Sequence, residues 1–364
     1  MESGVVERAA SERQSVRASD SDAPHASTLP RSTLHFAVLL LTAFAAPASQ
    51  PPPRDQRAVL IVVGAPGGPE FGSNFVHQAA LWQSACERAA CRSITIGLET
   101  SAQTNDLSLL EQTLAAEEKT TPAELWLVLI GHGTFDGKEA RFNLRGPDLS
   151  TTDLALWLQP FHRPLAVINT ASSSAPFLNK LSATNRVVIT ATRSGHEQNY
   201  TRFGQYFAEA IANPEADLDK DGQVSLLEAF LMASRQVAEF YKAEGRLASE
   251  HALLDDNGDG LGTPADWFRG LRAIKKPKEN AAMDGLLAGQ FHLIRSDAES
   301  KLTAEQRARR DALEREVLLY REKKGQVPED EYYRELEQLL LPLARSYETN
   351  LPDAPPTPVP NHAP

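Results

Sequence analysis

Carboxylates and other oxygen donors recur at alternate positions through residues 217–228, DLDKDGQVSLLE. Asp217, Asp219 and Asp221 stand at positions 1, 3 and 5 of this twelve-residue frame, and Gly222, at position 6, permits a sharp turn. Gln223 offers its backbone carbonyl at position 7, Val224 fills an apolar slot at 8, Ser225 can bond directly or through water at 9, and Glu228 at 12 brings two oxygens. A hard cation wanting roughly six to eight oxygens is what such spacing gathers around one point, so the stretch predicts a Ca²⁺ site. Residues 255–266, DDNGDGLGTPAD, are a weaker echo, with Asp255, Asn257, Asp259, Gly260, Thr263 and Asp266 at positions 1, 3, 5, 6, 9 and 12. Gly262 fails the apolar slot and Pro264 interrupts the turn that should follow. Three readings stay open there: a second cation loop, an Asx-turn loop without metal, or a loop that closes over the first ion from the side.

A second group of chemically capable residues sits where apolar runs end. "LWLVLI" stops at Gly131-His132-Gly133, "PLAVI" at Asn169-Thr170-Ala171-Ser172-Ser173-Ser174, and "RVVI" at 190–195. Open α/β sheets bind ligands beyond the carboxyl ends of their strands. A histidine between two glycines is presented by a tight turn, and the glycines let another backbone come close.

The elements that must position these residues alternate. Strand-like runs at 58–63, 92–98, 123–133, 164–169 and 186–192 are separated by helical spacing at 74–89, 107–118, 150–161 and 201–212. "ARFNLRG" reads as a short hairpin strand. The expected fold class is α/β: a mostly parallel sheet with helices on both faces, spanning 56–212. Residues 213–296 then hold the calcium loop, a helix over 226–243, the second acidic loop and a closing strand in "GQFHLIRS", 289–296. In the helix, Leu226, Phe230, Ala233, Val237 and Phe240 or Tyr241 form one stripe, which predicts a core-facing side. Two charged amphipathic segments within 302–348, joined by "GQVP", predict a helical hairpin, and the Pro-rich stretch 352–364 a disordered tail.

With its flanking helices, the 217–228 loop resembles an EF-hand. The strand ends resemble the caspase-like superfamily of cysteine peptidases, in particular the legumain and GPI-transamidase branch. There a hydrophobic strand ends in His-Gly, matched by "LIGHGTFDG", and the next buried strand ends in a short Asp/Glu-small-Cys-x-Ser/Ala motif, matched in place and spacing by "VINTASSSA". The resemblance covers 56–212 and extends to the strand expected near 290. It implies His132 as general base and the Gly133 amide as an oxyanion donor. It also places Ala171 where the nucleophilic cysteine belongs and Asn169 where the acidic residue belongs, so the site is expected to be vestigial. Thiolate chemistry needs a sulfur beside the histidine, and neither Cys86 nor Cys91 lies near this motif in the sequence. Ser172 or Ser173 acting as nucleophile is the enzymatic alternative, and a plain strand-to-helix turn whose serines cap a helix over 174–182 is the structural one.

The chain of 364 residues carries a formal charge of −11, which argues against a nucleic-acid partner held through phosphates. The first 48 residues are expected to be an N-terminal extension and a signal peptide, with an apolar stretch from Phe36 to Ala46 and Ala46-Pro47-Ala48 as the cleavage motif. Export to the periplasm, cell envelope or outside follows, with membrane contact only through an uncleaved anchor. In such a compartment Cys86 and Cys91, the two cysteines of the chain, either form a local disulfide or remain thiols. The function expected from these observations is a calcium-binding, catalytically inactive peptidase homologue that binds a protein or peptide partner. The alternatives are an active hydrolase using His132 with Ser172 or Ser173, and a calcium-responsive interaction protein.

Overall fold

The computed structural model describes residues 57–99, 105–279 and 281–348. The expected signal segment and the Pro-rich tail lie outside them. The chain opens with β1 (Ala58–Val63), α1 (Pro69–Arg88), β2 (Arg92–Ile96), α2 (Asp106–Ala116) and β3 (Leu125–Ile130). A small antiparallel sheet follows, β4 (Gly133–Phe135), β5 (Ala140–Phe142) and β6 (Leu149–Ser150), then α3 (Thr151–Leu158), β7 (Leu165–Asn169), α4 (Ala175–Leu181), β8 (Arg186–Thr190), α5 (Phe203–Ala210) and α6 (Leu226–Ala243). β9 (Leu253–Asp255) and β10 (Thr263–Pro264) complete the main sheet, whose order is β10-β9-β8-β7-β3-β1-β2. The five strands from β8 to β2 run parallel, and β9 and β10 each run antiparallel to their neighbour.

This is a mixed α/β architecture with a multi-stranded sheet flanked by helices. β1 (AVLIVV) and β3 (LWLVLI) are buried along their whole length, because apolar residues on both faces need cover on both faces. Val59, Ile61 and Val63 pack into one core with residues of α1, α5 and α6. Ala58, Leu60 and Val62 pack into another with residues of α2, α3 and α4. The expected stripe of α6 is buried at Leu226, Phe230, Ala233, Val237 and Tyr241. A short antiparallel pair, β11 (Phe268–Arg269) and β12 (Arg272–Ala273), lies beyond β10. α7 (Asp297–Lys301) leads into α8 (Ala304–Arg321) and α9 (Glu329–Glu348), which pack on each other with Tyr320 stacked on Tyr332 at 5.4 Å. No helix among the described residues is long and apolar enough to cross a membrane.

The closing strand expected at 289–296 is not one. Phe291 and Leu293 are buried, so their alternation was a true burial signal, but the segment makes only one bridge, Ser225 to His292. Its carbonyls have another partner. The Arg57 guanidinium donates to the carbonyls of His292 and Leu293 at 2.9 and 2.8 Å, immediately before β1. The sheet is extended instead by β9 and β10, which flank the second acidic loop.

The Leu226 amide donates to the Phe291 carbonyl at 2.9 Å, so Arg57 indirectly braces the start of α6. Arg57→Met is expected to lower stability to denaturant by about 2 kcal/mol, since it leaves carbonyls unmet in a buried setting. An unchanged urea midpoint would contradict that role.

Candidate functional site

β3 and β7 are neighbours, with Leu129 in register with Asn169, so the histidine turn and the serine-rich turn leave the same end of the sheet side by side. His132 is half-buried. Its Nε2 lies 3.2 Å from the Pro66 carbonyl, a bond that requires the proton on that nitrogen. The edges of Phe71 and Phe75 flank the ring at 4.7 and 5.1 Å. Among the described residues no carboxylate bonds it. The carboxylate–imidazole pair nearby belongs to other residues: Glu197 Oε1 meets His251 Nδ1 at 2.6 Å.

The serines are occupied differently. Ser172 Oγ accepts from the Gly133 amide at 3.1 Å and donates to the Gly133 carbonyl at 3.0 Å. The proposed oxyanion donor is therefore engaged by the side chain that was the alternative nucleophile. The approach is so close that a Cβ on Gly133 would sit 2.2 Å from the Ser172 carbonyl oxygen. Ala171 is buried, and its amide donates to Asn169 Oδ1 at 3.1 Å. Ser173 sits at φ +54°, and its amide donates to the Glu197 carbonyl at 2.8 Å. Its buried hydroxyl has no hydrogen-bond partner, nor does Asn169 Nδ2. Ser174 does not cap α4, because its hydroxyl lies 3.1 Å from Thr192 Oγ1.

In the 217–228 loop, Asp217 Oδ1 accepts from the Lys220 amide at 2.6 Å and Oδ2 from the Gly222 amide at 3.1 Å. Asp219 Oδ1 accepts from the Asp221 amide, and Asp221 Oδ1 from the Gln223 amide. One carboxylate oxygen from each of the three aspartates lies within 4.8 Å of the others. Gly222 takes φ +85°, the left-handed turn its place in the frame demands. Glu228 is almost fully buried. Its Oε1 accepts from the amides of Leu218 and Asp219, at positions 2 and 3, and its Oε2 from the amide and hydroxyl of Ser225, at position 9.

The second loop repeats this set bond for bond over its first seven positions. Asp255 Oδ1 accepts from the Gly258 amide at 3.1 Å and Oδ2 from the Gly260 amide at 3.0 Å. Asn257 Oδ1 accepts from the Asp259 amide, and Asp259 Oδ1 from the Leu261 amide, both at 2.8 Å. The twelfth-position residue of the linear frame, Asp266, is exposed and does not complete it. Asp284 does. Its Oδ1 accepts from the amides of Asp256 and Asn257, at positions 2 and 3, and its Oδ2 from the Thr263 hydroxyl, at position 9. Glu228 holds the same three positions in the first loop and accepts from the Ser225 amide as well. Sequence reasoning missed Asp284 because it lies outside any twelve-residue window. The warning signs were Gly262 and Pro264, which deny the frame its own helix.

In each loop the first aspartate and the closing carboxylate are buried, whereas Asp219, Asp221 and Asp259 are exposed. Partial desolvation, and next the neighbouring Asp221, push the Asp219 carboxyl above its ordinary value. Burial, reinforced by Asp256, pushes Asp284 up to about 8. Burial raises Asp255 as well. A cavity of about 800 Å³ is lined by Asp219 and Asp221 of the first loop, by Asp284, which closes the second, and by Arg310, Leu343 and Tyr347 of the C-terminal helices.

No family model and no curated protein matches the chain. Solved structures with a similar layout include the Drosophila initiator caspase Dronc, at 14% identity over 57% of this chain and 82% of that one with a TM-score of 0.38. Caspase-1 from Spodoptera frugiperda is similar at 8% identity over 56% and 86%, TM-score 0.34. A protein from Geobacter sulfurreducens is similar at 12% identity over 50% and 89%, TM-score 0.33. The likeness is distant and concerns layout alone.

Ser172→Ala removes both bonds to Gly133 and leaves that buried amide unmet. It is expected to lower stability by about 1–2 kcal/mol, read from urea unfolding. A variant as stable as the native chain would show that the Ser172–Gly133 link does not hold the two turns together.

Proposed function

We propose that this chain is an exported calcium-binding protein that retains a caspase-like scaffold without its peptidase chemistry and serves as a binding module for a protein or peptide partner. The observation that carries the calcium reading is the repeated bond set of the two loops, each closed by a buried carboxylate. Glu228 and Asp284 bond backbone amides and hydroxyls, and among the described residues no lysine or arginine pairs with either. A buried carboxylate needs a compensating charge, and a divalent cation seated among the loop side chains, three aspartates in the first loop and Asp255, Asn257 and Asp259 in the second, supplies it. Asp217, Asp219, Asp221, Ser225 and Glu228, with the Gln223 carbonyl, would hold the first ion. Asp255, Asn257, Asp259 and Asp284 would hold the second.

The reading of lost catalysis rests on Ala171 at the place the resemblance reserves for a cysteine, and on how the neighbours are bonded. Hydrolysis through Ser172 would require breaking both of its bonds to Gly133 and moving the proton of His132 away from Nε2. Ser173 has a hydroxyl without a partner, but its buried position gives a substrate no approach. Export rests on the N-terminal sequence pattern alone.

Ca²⁺ is expected to raise the melting temperature of chelator-treated protein, and Mg²⁺ to do much less, because Mg²⁺ demands a tighter six-oxygen shell. At a hundredfold excess over Kd, one site stabilises by about 2.7 kcal/mol. Glu228→Gln is expected to remove part of the shift and Asp284→Asn another part, whereas Asp266→Asn leaves it whole. A melting temperature indifferent to millimolar Ca²⁺ would overturn the assignment, and a loss of shift on Asp266→Asn would overturn the role of Asp284. Peptide hydrolysis abolished by His132→Ala and by a serine variant would overturn the inactive reading.

A further inference from the structure

The C-terminus of α1 brings the two cysteines of the chain together. The Cys91 amide donates to the Cys86 carbonyl at 3.2 Å, and the Ala90 amide to the Glu87 carbonyl at 3.1 Å. Ala90 takes φ +49° between them. This pair of reciprocal bonds with a left-handed residue is a Schellman ending, which turns the chain back on the helix and sets the side chains of its first and sixth residues against each other. Those residues are Cys86 and Cys91. The Cys91 thiol donates to the Cys86 carbonyl oxygen at 3.7 Å, which sets the two side chains on the same side of the turn. Cys86 is buried beneath the helix, and Cys91 is half-exposed.

We propose that Cys86 and Cys91 are a site of reversible oxidation, closing a disulfide across the end of α1 by exchange with a small-molecule disulfide. The half-exposed Cys91 reacts first. Its thiolate attacks one sulfur of the oxidant and expels a thiolate, leaving a mixed disulfide. Cys86 then gives its proton to solvent and attacks the Cys91 sulfur, and the second half of the oxidant departs as a thiol. Two protein thiols are oxidised, and one disulfide is reduced to two thiols. Cys86 is buried and must lose its proton before it can attack, so it is the slow partner and ring closure accelerates as pH rises. The bond would fasten the last turn of α1 to the start of β2, the edge strand of the main sheet.

The test is incubation of the folded chain with an excess of oxidised glutathione, followed by thiol titration and intact mass. The expected result is loss of both titratable thiols and of two hydrogens in mass, with no glutathione retained. Cys86→Ser is expected instead to retain one glutathione, on Cys91. The same oxidation in urea should need a higher ratio of oxidised to reduced glutathione, because the native turn no longer holds the thiols together. The proposal is overturned if the native chain keeps both thiols, if it stops at the glutathione adduct, or if the unfolded chain closes the bond as readily as the folded one.

Discussion

Two buried carboxylates, Glu228 and Asp284, tie together the part of the molecule that carries the two acidic loops. Each reaches across a loop to hold its second, third and ninth positions at once, and a loop so gripped has only one shape. The grip also fixes the surroundings. Ser225 is the N-cap of α6, with Glu228 completing the capping box, so the carboxylate that closes the first loop also starts the helix packed beneath the sheet. Asp255 ends β9 and Thr263 begins β10, so the second loop is the connection that lets the sheet extend past β8. The cost is a buried carboxylate at the closure of each loop, beside aspartates that remain exposed.

The other half of the molecule depends on hydroxyls rather than charge. At the ends of β3, β7 and β8 the chain uses Thr170, Ser172, Ser174 and Thr192 to satisfy backbone groups that a strand leaves open. A strand end built for reaction keeps such groups available. Here Ser172 spends its hydroxyl on Gly133 in both directions, and the histidine is turned toward the Pro66 carbonyl. What is left over, the hydroxyl of Ser173 and the amide of Asn169, lies buried within the turn itself. The side chains at these strand ends are bonded to the backbone around them.

Much of this was legible in the residues. The parallel strands announce themselves as unbroken apolar runs, α6 spans the 226–243 expected of it, and the 217–228 loop carries all of its bonded side chains in twelve consecutive positions. β9 and β10 were not legible, because strands of two or three residues show no period. The segment 289–296 misled for a physical reason: alternating burial is shared by a strand and by an irregular segment pinned by an arginine, and Arg57 lies more than two hundred residues away in sequence. Asp284 escaped for the same reason. A ligand supplied from outside the loop leaves no trace in the loop's own spacing.

The most direct measurement of the central claim is the number of Ca²⁺ ions bound per chain at saturation, by equilibrium dialysis of chelator-treated protein against radioactive calcium. Two equivalent bond sets, each closed by its own buried carboxylate, predict two ions per chain. A saturating value of one or none would contradict the account.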